Sequence, residues 1–226
     1  MMPQTNLESR SLAELAVVHA GASRVFHRHG LDFCCHGGVT LADACARKGL
    51  DPATLVAELA RETDAPAPAE RWDTQPIPVL IDYILDRFHA GHRAELARLR
   101  EMAERVEKVH AEKASRPRGL ADHLAHVTLE LESHMQKEEN VLFPLIVSGR
   151  GAMAAAPIRV MEQEHQDHGR NLARLRELAH DFVPPMDACG TWRALYLGLA
   201  ELEREVMEHI HLENHVLFPR ALRAEG

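Results

Sequence analysis

The chain has 226 residues and a formal charge of -8, and 46% of its residues are hydrophobic but only 4% aromatic. The acidic balance excludes a diffuse positive field of the kind that attracts nucleic acid or anionic lipid, and no run is long and apolar enough to span a bilayer. Ala and Leu dominate the apolar set, which favours an all-α fold over sheets.

The opening stretch, Met1 to Ser11, is polar and lacks the apolar core of a signal peptide, so the expected location is the cytoplasm. Ser11 followed by Glu14 forms a capping-box signature, Gly30 and Gly49 read as helix stops, and Asp51-Pro52 reads as an N-cap and first-turn pair. Three or four short helices are expected here. Phe33-Cys34-Cys35-His36-Gly37-Gly38 precedes a helix predicted to begin near Thr40. Thiols just before a helix N-terminus are favoured as thiolates, which makes Cys34 and Cys35 the candidate reactive thiols; simple packing of the pair is the competing reading. Cys45 and Cys189 read as structural. Four cysteines in this arrangement form no disulfide framework, which fits a reducing compartment.

The stretch DAPAPAERWDTQPIP, Asp64 to Pro78, is rich in proline and reads as a linker. The predicted organisation is a small helical domain over 1–63, a linker over 64–77 and a larger helical domain over 78–226. Four longer periodic segments follow, roughly 78–113, 119–147, 157–182 and 188–222, and their short connections predict an up-down-up-down four-helix bundle.

These segments contain an internal repeat. His134-Met-Gln-Lys-Glu138-Glu-Asn-Val-Leu-Phe-Pro144 matches His209-Ile-His-Leu-Glu213-Asn-His-Val-Leu-Phe-Pro219, and Phe88-His89-Ala-Gly-His92 parallels Glu164-His165-Gln-Asp-His168. His89 to His134 is 134 − 89 = 45 residues and His165 to His209 is 209 − 165 = 44, so two helix hairpins of one pattern are expected to face each other. The Val-Leu-Phe-Pro tails read as core packing followed by a helix disruption.

On a helix, His134 and Glu138 lie one turn apart on one face, as do His209 and Glu213. Leu124, Val127, Leu131, Val141, Leu142 and Leu145 share the stripe of the first pair, and Leu195, Leu199, Leu202, Val206, Val216 and Leu217 that of the second. Carboxylates driven into a core need a counter-charge, and no lysine or arginine shares those stripes before Arg220. A pair of cations bridged by both carboxylates meets that need. The 16 histidines supply further ligands. Histidine with carboxylate and no thiolate suits iron or manganese, and iron is the expectation. Surface i,i+4 pairing is the rival for one His-x-x-x-Glu alone; the repetition argues against it. Periodicity does not choose between His89 and His92, or between His165 and His168. His110, His123, His126, His180, His211 and His215 read as surface or capping groups, and Glu130 and Glu164 as neighbours of the ligand faces.

With these residues in view, the sequence resembles the iron-sulfur cluster repair di-iron proteins of the RIC family, nearly end to end. Leu31-Asp32-Phe33-Cys34-Cys35, Phe88-His89, Ser133-His134-Met-Gln-Lys-Glu138-Glu139, Met161-Glu-Gln-Glu164-His165 and His209-Ile-His-Leu-Glu213-Asn214 carry the likeness. The resemblance implies a hemerythrin-like bundle after a double-cysteine, ScdA-like N-terminal domain. It implies metal ligands at His89, His134, Glu138, His165, His209 and Glu213, paired functional cysteines at Cys34 and Cys35, and two iron ions joined by the carboxylates with an oxo or hydroxo bridge. The implied role is repair of clusters damaged by oxidative or nitrosative stress, with damaged iron-sulfur proteins as clients, nitric oxide or oxygen as small ligands, and a homodimer left open. His36 stands where the family is expected to have glycine. The rival readings are a hemerythrin-like carrier or sensor of oxygen or nitric oxide, and a nitric-oxide reductase.

Overall fold

The computed structural model describes residues 5–19, 21–63 and 71–223; residues 64–70 of the expected linker lie outside the described residues. Among the described residues the secondary structure is helical, with one isolated bridge between Ser11 and Thr40. No helix there is long and apolar enough to cross a membrane. Among the described residues the chain divides into two compact units, one drawn from 5–80 and 207–223, the other from 81–206. The chain passes between the units at Leu80–Ile81, shortly after the expected linker over 64–77, and again at Val206–Met207, inside the last long helix.

In the first unit, α1 (Thr5–Glu8), α2 (Leu12–Val18), α3 (Ala22–Arg28), α4 (Leu41–Lys48) and α5 (Pro52–Thr63) surround a core that includes Leu12, Leu15, Phe26, Phe33, Leu41 and Leu59. The caps match the sequence signals. Ser11 Oγ accepts from the Glu14 amide at 3.1 Å while Glu14 returns a carboxylate to the Ser11 amide at 3.2 Å, closing the capping box. Thr40 caps α4 through the Asp43 amide, and Gly49 ends it in the left-handed conformation at φ 67°. A short pairing fixes the cysteine loop to α2: Leu12 N–H donates to Val39 O at 3.0 Å and Ala13 N–H to Gly37 O at 2.9 Å. Gly37 is required there, because a Cβ would lie 2.3 Å from the Phe33 carbonyl oxygen and 2.9 Å from Ala13 Cβ.

α6 (Ile77–Tyr83) leads into the long helices α7 (Ala90–Val109), α8 (Leu120–Lys137), α10 (Gly151–Leu178) and α11 (Gly190–Leu212), with α9 (Phe143–Val147) and α12 (Phe218–Arg223) as short extensions of α8 and α11. In the second unit α7, α8, α10 and the part of α11 up to Val206 pack as an antiparallel bundle. Arg93 early in α7 pairs with Glu132 late in α8, while Glu107 late in α7 accepts from the Ala121 amide at the start of α8. His123 and Asn171 relate α8 to α10 in the same antiparallel sense. Within α11, Gly198 lets α7 approach closely: a Cβ there would meet Leu99 Cδ2 at 2.6 Å. Arg176 and the buried Glu203 form an ion pair that joins α10 to α11.

Two boundaries differ from the sequence reading. α10 begins at Gly151 rather than at Pro157, which sits inside the helix. The ends of the repeat motifs are wider than α-helix: Ile84–His89, Glu138–Leu142 and Glu213–Leu217 are π turns, closed by i to i+5 bonds to Leu85 O, Glu138 O and Glu213 O. The second and third are followed by Phe143-Pro144 and Phe218-Pro219; proline has no N–H for the i−4 carbonyl and crowds it, which favours a looser turn. The extra residue rotates the C-terminal end of each helix. After Glu138 the buried positions are Leu142, Phe143 and Ile146, while Val141, expected in the core, is 49% exposed.

Candidate metal centre

Three π turns place three candidate ligands, since His89 is the last residue of the first and Glu138 and Glu213 open the other two. His134 lies one α turn before Glu138 and His209 one turn before Glu213, as the i,i+4 spacing requires. His165 comes from the middle of α10. All six side chains are at most 1% exposed.

The donor atoms converge. His89 Nε2 is 3.4 Å and His134 Nε2 3.3 Å from opposite oxygens of Glu138, His165 Nε2 is 3.2 Å from His134 Nε2, and His209 Nε2 is 3.1 Å from Glu213 Oε1. Two sets of four ligand atoms, His89–Glu138–His209–Glu213 and His134–Glu138–His165–Glu213, each lie within 4.8 Å of one another. Glu138 and Glu213 belong to both sets, the arrangement two ions sharing two bridging carboxylates would need. His92 and His168 are buried outside these sets. His92 lies against the Phe88 ring with centroids 5.8 Å apart, and His168 packs edge-on against His134 at 4.8 Å.

Two glutamates outside the six hold ligand histidines by the far ring nitrogen. His89 Nδ1 donates to Glu139 Oε1 at 2.8 Å and His134 Nδ1 to Glu164 Oε2 at 2.9 Å. A proton on Nδ1 leaves the Nε2 lone pair for a cation, the tautomer that carboxylate–histidine–metal arrangements select. Cations support both carboxylates. Arg93 Nη1 donates to Glu139 at 2.9 Å, and Lys137 pairs with Glu164. Burial pushes the Glu139 carboxyl up, but its bonds from Arg93 and His89 outweigh that and leave it below the usual range. The His134 bond, with help from Lys137, holds Glu164 at about 2. Glu164 also lines an open groove of about 430 Å³ with His126, Glu130, Ser133, Lys137, Asp167 and His168.

The residues therefore fit a pair of cations: imidazole nitrogens and carboxylates converge, thiolate is absent, and His89 and His134 are oriented by carboxylates at their far ring nitrogens. From sequence, Glu164 is expected only as a neighbour of the ligand face, and Glu139 has no expected role. Both sit beside a ligand or one turn from it in the chain, but pairing Glu139 with the back of His89 requires knowing which helices adjoin.

The cysteine loop differs from expectation in its chemistry. The backbone amides of Cys34, Cys35 and His36 all donate to Asp32 Oδ1, at 3.2, 2.9 and 3.3 Å, rather than to the thiols. The Cys35 thiol alongside, burial and the Asp32 charge push the Cys34 thiol well above its ordinary value, against the thiolate expected from its place before a helix. His211, read as a surface group, is 3% exposed and packs edge-on against Phe33 with centroids 5.6 Å apart. Burial, with His215 nearby, lowers it to about 3. Asn214 Nδ2 and His215 Nε2, the two residues after Glu213, both donate to the Cys34 carbonyl, at 3.1 and 2.9 Å. Cys45 is buried as expected, whereas Cys189 is exposed and lies 3.3 Å from His110 Nε2.

Helical bundle and donor set together define a histidine–carboxylate cation-binding protein, and residues 80–221 match the hemerythrin HHE cation binding domain. Residues 8–63 match a second family, described as a domain of unknown function (DUF542). An iron-sulfur cluster repair protein YtfE from Pectobacterium carotovorum subsp. carotovorum (strain PC1) is 50% identical over 216 residues, covering 96% of this chain and 98% of the relative. Its counterparts from Pectobacterium atrosepticum and Musicola paradisiaca are each 49% identical at the same coverage. The chain belongs to the YtfE family of iron-sulfur cluster repair proteins, with a hemerythrin-type bundle.

Proposed function

We propose that this chain holds two iron ions on His89, His134, Glu138, His165, His209 and Glu213, and that it repairs iron-sulfur clusters damaged by oxidative or nitrosative stress, the damaged proteins being its clients. The observation that carries the reading is the pair of donor sets that share both carboxylates; relatives named for cluster repair, matched over 96% of this chain, support it. Bound iron would supply one-electron redox steps, affinity for nitric oxide or oxygen, and exchangeable iron for a damaged cluster.

The protein's own groups set the conditions. Glu138 and Glu213 provide charge compensation in a place with almost no solvent exposure. Glu139 and Glu164 hold His89 and His134 in the donor tautomer, and Arg93 and Lys137 keep those carboxylates ionised. Leu131, Leu142 and Phe143, all buried, exclude water beside these groups on α8 and its extension. The Cys34–Cys35 pair is the candidate group for contacting a client or passing iron or electrons.

The direct trial is Glu138→Ala. Iron bound per chain should fall from two to one or fewer, and repair of a nitric-oxide-damaged cluster in vitro should be lost; full repair by an iron-free variant would refute the reading. Replacing Cys34 and Cys35 together by alanine separates repair from simple gas carriage, because a carrier has no use for the thiols and would keep its full protective effect.

A further inference from the structure

The turn Asp32 to His36 gathers donor atoms that the histidine–carboxylate centre does not use. Three backbone amides converge on Asp32 Oδ1 and fold the chain around that carboxylate, while His36 Nδ1 bonds Oδ2 at 2.6 Å and fixes its plane. The fold of the turn brings Cys34 Sγ to 3.7 Å from Cys35 Sγ and to 3.3 Å from Asp32 Oδ1. One ligand atom from each of Asp32, Cys34 and Cys35 lies within 4.8 Å of the other two. Neither cysteine is in a disulfide.

We propose that Asp32, Cys34 and Cys35 form a further metal site, which takes one divalent ion of borderline-soft character, the class of Zn²⁺ and Fe²⁺. The spacing carries the argument. Metal–sulfur bonds of about 2.3 Å at the tetrahedral angle set two sulfurs about 3.7–3.8 Å apart, so the Cys34–Cys35 separation already equals one edge of such a site. Sulfur and carboxylate oxygen form a second, slightly shorter edge. Thiolate donors select zinc or iron over magnesium and calcium. On binding, two S–H bonds are exchanged for two S–metal bonds and both protons pass to solvent; no electron moves. Three protein donors leave the fourth position to water or to an incoming ligand, the pattern of a site that exchanges what it holds.

The backbone of the turn is pre-set for this. The Cys34 carbonyl is held by Asn214 and His215, and the Gly37 carbonyl by the Ala13 amide, so binding an ion need not order the loop. Access comes from one side, since Cys34 is buried whereas Cys35 is partly exposed and the Asp32 side chain is 42% exposed.

The test is a Co²⁺ titration of the full-length, iron-loaded protein, reduced and free of oxygen. One equivalent should raise a thiolate-to-cobalt charge-transfer band in the near ultraviolet together with a tetrahedral visible envelope. Zn²⁺ or Fe²⁺ should remove both signals. Cys35→Ser should abolish the band. Asp32→Asn, whose amide oxygen can still accept the three backbone amides, should weaken Co²⁺ binding tenfold or more. Cys35 is used because it is less buried than Cys34, and an unchanged circular dichroism spectrum confirms that each variant is folded. No band in the unaltered protein, a band that survives in Cys35→Ser, or displacement by Mg²⁺ would overturn the proposal. The histidine–carboxylate centre offers cobalt no thiolate, and loss of the band in Cys35→Ser assigns it to this turn rather than to the exposed Cys189 beside His110, whether or not that centre holds iron.

Discussion

Glu139 and Glu164 carry no metal in the proposed arrangement, yet each fixes a ligand ring. A carboxylate behind a histidine sets its tautomer and raises its basicity, and loss of such a partner typically costs about 10–100-fold in metal affinity. Glu139→Gln and Glu164→Gln are therefore expected to release iron to a chelator about 10–100-fold more readily while the fold is kept, which competition against a chromophoric chelator will measure. Unchanged iron affinity in both variants would deny them that role. At this scale the sequence was informative about the candidate site: His134–Glu138 and His209–Glu213 stand out by spacing, by repetition and by their place among leucines, and all four side chains are buried. His89 and His165 could not be separated from His92 and His168 by a helical wheel, because all four are buried and the choice depends on which rings meet across helices. His211 is buried where the sequence suggests a surface group, because its neighbour Phe33 comes from a segment nearly 180 residues away in sequence.

At the scale of the element, caps and loop junctions are local matters, and they matched the sequence closely. Ser11→Ala should remove half of the capping box and cost about 1 kcal/mol in denaturant unfolding. Gly37→Ala, which puts a methyl group against the Phe33 carbonyl and Ala13, should cost more, about 1–3 kcal/mol; equal stability of the two variants would contradict this packing. The ion pairs between α3 and α5 give a pH dependence. Hydrogen bonding to His29 holds the Glu58 carboxyl below its ordinary range, and bonds from Arg28 and Arg24 do the same for Glu62. A lowered folded-state value means that the contribution is complete above the unfolded value and is lost as pH falls through the folded one. Melting temperature should thus decline as the pH drops below about 4.3, and the decline should be shallower in Glu58→Gln/Glu62→Gln. The π turns were the main element that sequence did not disclose. The pattern Val-Leu-Phe-Pro marks a disruption, but nothing in it states whether the turn tightens or widens, nor that Val141 is exposed while its counterpart Val216 is buried.

For the whole molecule, the all-α class and the four long helices were legible from periodicity, while the grouping of residues 207–223 with the N-terminal segment was not. Periodicity reports which face of a helix is apolar and is silent about which neighbours cover it. The centre also bears on stability, since burying Glu138 and Glu213 is costly without cations. An ion that binds only the folded chain adds about 4 kcal/mol when its free concentration is about a thousand times Kd. Stripping iron should accordingly lower the melting temperature, most visibly above the pH at which both carboxylates ionise, and returning Fe²⁺ should restore it. An iron-independent melting curve would count against the carboxylates being held by metal.

The widened turn stands at the same place in both halves of the sequence, opening on the glutamate and ending directly before the Phe-Pro pair. The likeness between the halves thus reaches the backbone as well as the side chains, and each hairpin delivers its glutamate to the core from the same kind of widened turn, one α turn beyond a histidine.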